Sequence, residues 1–135
     1  MKAVEGTTYW IQISPWWYDE GAVSLRWRPA VLGTSRADVI SGSADSEENR
    51  GLAGNDVIHG GGGDDEIFPG AGSDRAFGEG GRDLILDRRG LDRLFGGPGG
   101  DVLSALDDTR GDLLSGGSGV DRCRSDRGDR RTGCP

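Results

Sequence analysis

An all-β fold, wound as a stack of short coils, is the class this sequence predicts, and three observations predict it. From Gly33 to Cys123 one nine-residue phrase recurs, clearest in GLAGNDVIH at 51–59, GGGGDDEIF at 60–68, GGPGGDVLS at 96–104 and GGSGVDRCR at 116–124. The sixth position of the phrase is almost always aspartate and the eighth is usually apolar. Hydrophobic residues make up only 33% of the chain, and 26 of its 135 residues are glycine. That mixture is too poor for an ordinary globular core and, without the repeat, would point to disorder.

The N-terminal part differs from the rest. Residues 1–32 hold all four tryptophans (Trp10, Trp16, Trp17, Trp27) and both tyrosines. Residues 7–13 read as a strand, with Tyr9, Ile11 and Ile13 alternating against Thr8, Trp10 and Gln12. Residues 14–21, with Pro15, Asp19 and Gly21, read as a turn, and 22–28 as a second strand with Val23, Leu25 and Trp27 on one face. Two strands cannot stand alone, so this segment is expected to be an aromatic β-hairpin cap on the stack. Alternatively it is the remnant of a β-sandwich, because TTYWIQI, a turn and GAVSLRW resemble the final hairpin of small modules in secreted bacterial proteins.

Residues 33–124 carry the repeat. The phrases start at residues 33, 42, 51, 60, 69, 78, 87 and 96; a two-residue insertion near 105–107 follows, and the phase resumes at 107 and 116. The sixth positions are Asp38, Glu47, Asp56, Asp65, Asp74, Asp83, Asp92, Asp101, Asp112 and Asp121. The eighth are Ile40, Asn49, Ile58, Ile67, Ala76, Ile85, Leu94, Leu103, Leu114 and Cys123. Positions 1 to 5 are glycine-rich and demand unusual backbone angles. Positions 7 to 9 predict a three-residue strand with position 8 turned inward and its neighbours outward. Residues 125–135 drop the pattern and read as an Arg-rich tail or cap. Cys123 and Cys134 lie close enough to close a short loop as a disulfide, which suits an oxidising compartment. Two free thiols are the alternative.

Charge follows the repeat. Residues 33–121 hold 18 acidic groups against 8 basic, whereas 1–32 balance at three each and 122–135 have five Arg against two Asp. Acidity concentrated on the aspartate column favours a cation partner and opposes nucleic acid. No apolar run is long enough to span a membrane. The start, MKAVEGTTYW, lacks the apolar stretch of a secretory signal, so the chain is expected to leave by another route or to be part of a longer secreted protein.

The phrase resembles the RTX, or haemolysin-type, calcium-binding repeat, G-G-x-G-x-D-x-U-x with U apolar, which is a known β-helix pattern. The match is complete at positions 1, 2, 4, 6 and 8 in 60–68 and 96–104; in 116–124 Cys123 takes the apolar place. The resemblance implies a right-handed parallel β-roll, a β-solenoid of about five coils, that binds several Ca2+ ions. It also implies an extracellular module of secreted toxins, proteases, lipases or adhesins.

The chemistry can be rebuilt from the residues. Calcium takes six to eight oxygens at about 2.3–2.6 Å. Glycine turns can aim backbone carbonyls at one point, and the position-6 aspartate adds a charged oxygen. With two phrases per coil, like positions eighteen residues apart stack about 4.8 Å apart. Two ladders result, Asp38, Asp56, Asp74, Asp92 and Asp112 on one edge, and Glu47, Asp65, Asp83, Asp101 and Asp121 on the other. Glycine content favours sites between Asp65 and Asp83, Asp83 and Asp101, Asp101 and Asp121, Asp56 and Asp74, and Asp74 and Asp92. The expected turn glycines are Gly60, Gly61, Gly63, Gly70, Gly72, Gly78, Gly81, Gly96, Gly97, Gly99, Gly116, Gly117 and Gly119. Repeat 42–50, with Asp45, Glu47 and Asn49 out of pattern, is expected to hold no good site. Arg36 weakens Asp38, and the insertion puts Asp112 in doubt. The competing interpretation is a metal-free solenoid in which aspartate only caps turns.

Other features carry less. His59, the single histidine, is expected at the surface, and no catalytic or zinc constellation accompanies it, so no enzymatic activity is expected. GGGG at 60–63 is followed by Asp64 and Asp65 where a phosphate loop would need a cation. Phe68, Phe77 and Phe95, with Leu86, should form outward apolar strips that either cover the strands or meet a surface ligand. The partners implied are calcium ions and a larger parent polypeptide or surface ligand. An adhesive or ligand-binding β-solenoid using those strips, or the Trp16–Trp17 loop, is the alternative function.

Overall fold

The computed structural model describes residues 28–134. The hairpin and tryptophan loop expected at 1–27 lie outside the described residues. Among those described there is no helix, and fourteen strands follow one another. They are β1 (Ala30–Leu32), β2 (Val39–Ser41), β3 (Glu48–Arg50), β4 (Val57–Gly62), β5 (Glu66–Phe68), β6 (Ala71–Gly72) and β7 (Arg75–Gly80). Then come β8 (Leu84–Asp87), β9 (Arg89–Gly90), β10 (Arg93–Gly99), β11 (Val102–Ala105), β12 (Leu113–Gly119), β13 (Arg122–Ser125) and β14 (Arg130–Thr132).

Alternate strands fall in opposite sheets. One six-stranded sheet runs β1-β3-β5-β8-β11-β13, the other β14-β12-β10-β7-β4-β2, and β6 pairs with β9 at one edge. Every pairing is parallel. Val39 faces Val57, and Val57 faces Arg75, a step of eighteen residues. Two nonapeptides therefore make one coil, and the chain is a parallel β-roll. It has six coils where about five were expected, because both ends contribute. Ala30–Leu32 adds a first strand against Glu48–Arg50, with Val31 in the inward place opposite Asn49. Arg130–Thr132 adds a last strand against Leu113–Ser115.

Position 8 builds the interior. Ile40, Ile58, Ile67, Ala76, Ile85, Leu94, Leu103 and Leu114 are buried, joined by Ala105, with Val31 and Cys123 packed at the ends. Parallel pairing places each of these above its equivalent in its own sheet, so two facing columns, mostly Ile and Leu with Asn49 buried in one of them, suffice where a globular domain needs layers. In one sheet the strands outrun the expected three residues. β4, β7, β10 and β12 continue through the glycine turn because those turns pair as well, Gly61 with Glu79 and Gly97 with Gly117.

The insertion is absorbed without loss of phase. Arg93 pairs with Leu113 and Val102 with Arg122, each a step of twenty residues, and the surplus forms the turn after Ala105. Cys123 and Cys134 form a disulfide with their Cα atoms 5.7 Å apart, tying the segment after β14 back to β13.

Candidate metal centre

Each sixth-position carboxylate is fixed by the coil before it. The main-chain N–H of Asp56 donates to Oδ1 of Asp74 at 2.8 Å, that of Asp65 to Asp83 at 3.0 Å, and that of Asp74 to Asp92 at 2.6 Å. Asp83 donates to Asp101 at 2.9 Å and Asp101 to Asp121 at 2.9 Å. These residues are essentially buried. The chain thus builds the two expected ladders, and one oxygen of every rung is satisfied by backbone.

The other oxygen is not. Oδ2 of Asp56, Asp65, Asp74, Asp83, Asp92, Asp101, Asp112 and Asp121 is buried with no hydrogen-bond partner. An unsatisfied buried polar group costs about 1–3 kcal/mol, more when charged. Eight of them rival the roughly 5–15 kcal/mol that stabilises a typical domain. A ligand rich in positive charge is the direct way to offset that cost.

The first rungs show the contrast. Asp38 accepts from the N–H and hydroxyl of Thr34 at 2.7 and 2.8 Å. Glu47 accepts from the N–H of Ser43 at 3.0 Å and also from its hydroxyl. A hydroxyl at position 2 closes the carboxylate on itself. Later coils have no hydroxyl there, having Leu52, Gly61, Gly70, Glu79, Arg88, Gly97, Asp108 and Gly117 instead.

The glycines leave room beside the free oxygens. A Cβ on Gly60 would stand 2.6 Å from Asp65 Oδ2 and 2.7 Å from the carbonyl oxygen of Gly78. A Cβ on Gly116 would stand 2.6 Å from Asp121 Oδ2 and 2.5 Å from the carbonyl of Gly133, and Gly78 and Gly96 lie in the same relation to Asp83 and Asp101. At positions 2 and 4, Gly61, Gly63, Gly70, Gly72, Gly81, Gly97, Gly117 and Gly119 take φ between +93° and +146°. Each lies against main chain of the coil before it, as Gly99 does against the Gly81 carbonyl. Buried carboxylate oxygens beside main-chain carbonyls, with no nitrogen or sulfur donor, form a set suited to a hard cation such as calcium.

Burial is the largest influence on these acids. It raises the carboxyls of Asp56, Asp65 and Asp101 above the usual range, against the lowering effect of the backbone N–H each accepts. Asp74, Asp83 and Asp112 are pushed up to about 6 by burial, again opposed by that N–H and reinforced by neighbouring carboxylates. Asp87 and Asp92, side by side, are both raised, first by burial.

Three acidic residues join the ladders beyond those expected to bind. Asp112 keeps its place despite the insertion, its Oδ1 accepting from Asp92 N–H at 2.8 Å. Asp129 supplies a final rung, accepting from Gly111 and Asp112 N–H at 2.9 and 3.2 Å. Asp87 is buried at position 1 of its phrase, where the opposite edge has only glycine. An acidic residue in a glycine place was the signal available in the sequence. His59 stacks on Phe77, and Phe77 on Phe95, with ring centroids 4.9 Å apart in both pairs. These outward side chains stand apart from the ladders.

No curated protein matches the chain. The family model of the RTX calcium-binding nonapeptide repeat matches it in four copies, at residues 50–76, 69–103, 77–110 and 107–131. Those copies span more than half the chain and the coils whose carboxylates are left open. The chain belongs to the RTX calcium-binding nonapeptide repeat family.

Proposed function

We propose that this coil is an extracellular structural module that folds on binding several calcium ions, as part of a secreted protein whose export and folding it assists. The observation that carries this reading is the double column of buried, unpartnered Oδ2 atoms. Calcium held between successive rungs would take Asp56, Asp65, Asp74, Asp83, Asp92, Asp101, Asp112 and Asp121 as charged ligands, with turn carbonyls completing the shell. Without it the acidic column repels itself, and an interior of about one Ile or Leu per nine residues does not overcome chain entropy. Extracellular calcium modules bind at about 10⁻⁴–10⁻³ M, so the coil would stay expanded in cytosol and close outside. The role is structural, not enzymatic. Circular dichroism during calcium titration, with magnesium as control, tests it: β structure should grow with calcium alone. Complete β structure in chelator, unchanged by calcium, overturns the proposal.

The outward stack of His59, Phe77 and Phe95 supports a second reading, an adhesive solenoid that meets a surface ligand. In that case Phe77→Ser would abolish ligand binding while calcium-induced folding survives.

A further inference from the structure

One rung is built differently from the rest. On one edge position 1 is Gly42, Gly60, Gly78, Gly96 and Gly116; on the other it runs Gly33, Gly51, Pro69, Asp87 and Asp107. Asp107 is spoken for, its Oδ2 accepting from Gly90 N–H at 2.8 Å and its Oδ1 from Thr109 N–H at 2.7 Å. Asp87 is not. It is 2% exposed, its Oδ2 accepts from Arg89 N–H at 3.1 Å, and its Oδ1 meets no N–H donor. Its carboxyl stands within hydrogen-bonding reach of that of Asp92, where a proton or a cation can hold the two together. Carboxylate oxygens of Asp74, Asp87 and Asp92 lie within 4.8 Å of one another. Two oxygens on one calcium can be at most about 5 Å apart, twice the bond length, so all three can reach a single ion. Among the described residues, none of the ion pairs neutralises any of the three.

We propose that Asp74, Asp87 and Asp92 form a three-carboxylate cation site, the one that takes calcium first and most tightly in this coil. This rests on the calcium reading above and deepens it. The other sites on the ladders draw on two rung carboxylates, and affinity for calcium rises with the number of charged ligands. Asp87 therefore adds a third negative charge where the repeat pattern has none. The extra charge also gives this site a stronger preference for a trivalent ion of similar size, since ion–ligand attraction grows with both charges.

The test is calorimetric titration of the full chain with calcium and, separately, with lanthanum. In the unsubstituted chain the first site should show a larger lanthanum-over-calcium preference than the later ones; a uniform preference overturns the proposal whatever the variants do. Asp87→Asn keeps the side-chain shape, and Asp87→Gly restores the repeat pattern. Both should weaken the first calcium site about tenfold, move later sites little and reach full β structure at saturating calcium. If Asp87→Gly binds its first calcium as tightly as the parent or more so, Asp87 obstructs the glycine cradle and the proposal fails while the calcium reading stands. A chain that binds no calcium at all overturns both.

Discussion

The main-chain nitrogen of Asp83 donates to Oδ1 of Asp101 at 2.9 Å, while Oδ2 of that same Asp101 is buried without a partner. One carboxylate thus has two duties. Its first oxygen is held by the coil below, which fixes where the second points. Repeated along both edges, this relation converts a turn-capping residue into a row of aimed, open ligands.

Substitution should therefore separate the rungs. Asp83 stands between Asp65 and Asp101 and serves two inter-coil spaces, whereas the carboxylate of Glu47 is taken by Ser43. Asp83→Ala should raise the calcium midpoint of folding about tenfold, equivalent to about 1.4 kcal/mol. Glu47→Ala should shift it about twofold at most. Circular dichroism against calcium concentration measures both, and equal shifts would sink the ranking.

Acid should favour the metal-free coil. In the folded coil burial pushes Asp74, Asp83 and Asp112 up to about 6, against 3.8 for an unperturbed aspartate. A raised folded-state value means that the coil binds protons more tightly than the open chain does. The resulting stabilisation is fully present below pH 3.8 and is lost as pH rises through about 6. In chelator, β structure should be greater at pH 4 than at pH 7.5. Calcium must displace those same protons, so its apparent affinity should fall as pH drops through about 6. A pH-independent calcium midpoint between 5 and 7.5 would contradict the burial of these acids.

Asn49 sits in the interior column with both side-chain polar atoms unpartnered, paired in register with Val31 on one side and Ile67 on the other. Asn49→Ile should stabilise the calcium-loaded coil by about 1–3 kcal/mol, by removing two unsatisfied groups and extending the apolar column. Thermal melting at saturating calcium reads this directly; a lower midpoint would show that the amide is satisfied in solution.

Leu52 occupies a glycine place with φ at 78° and half of its surface exposed. An L-residue held there costs roughly 1–2 kcal/mol, so Leu52→Gly should raise the melting temperature of the calcium-bound coil. Asp108, at the same position of its own phrase with φ 65°, allows a parallel trial in Asp108→Gly.

Much of this architecture could be read from residue spacing, because a solenoid repeats one local solution. The aspartate at position 6 and the Ile or Leu at position 8 recur in fixed phase, so the ladders, the two-phrase coil and the interior column were all legible. The ends were not. Ala30–Leu32 and Arg130–Thr132 pair through main-chain hydrogen bonds, which leave no mark on side-chain pattern, and Arg131 takes a place that is apolar in every other rung of its own sheet. The insertion puts Asp112 in doubt on sequence alone because counting residues assumes that every turn has one length. Asp87 escapes the repeat pattern for a different reason: its carboxylate becomes a neighbour of Asp74 only once the coil brings position 1 of one phrase beside position 6 of another.

The turn after Ala105 contains two residues more than its equivalents, yet the rungs on either side meet as they do elsewhere, Asp92 with Asp112 at 2.8 Å and Asp101 with Asp121 at 2.9 Å. The coil thus keeps count by height along its axis, and the number of residues between floors is free. Extra sequence can leave the stack at this landing and return to the same storey, which makes the tip at residues 108–110, between the anchored Asp107 and Gly111, a natural doorway for grafting a foreign loop onto the scaffold.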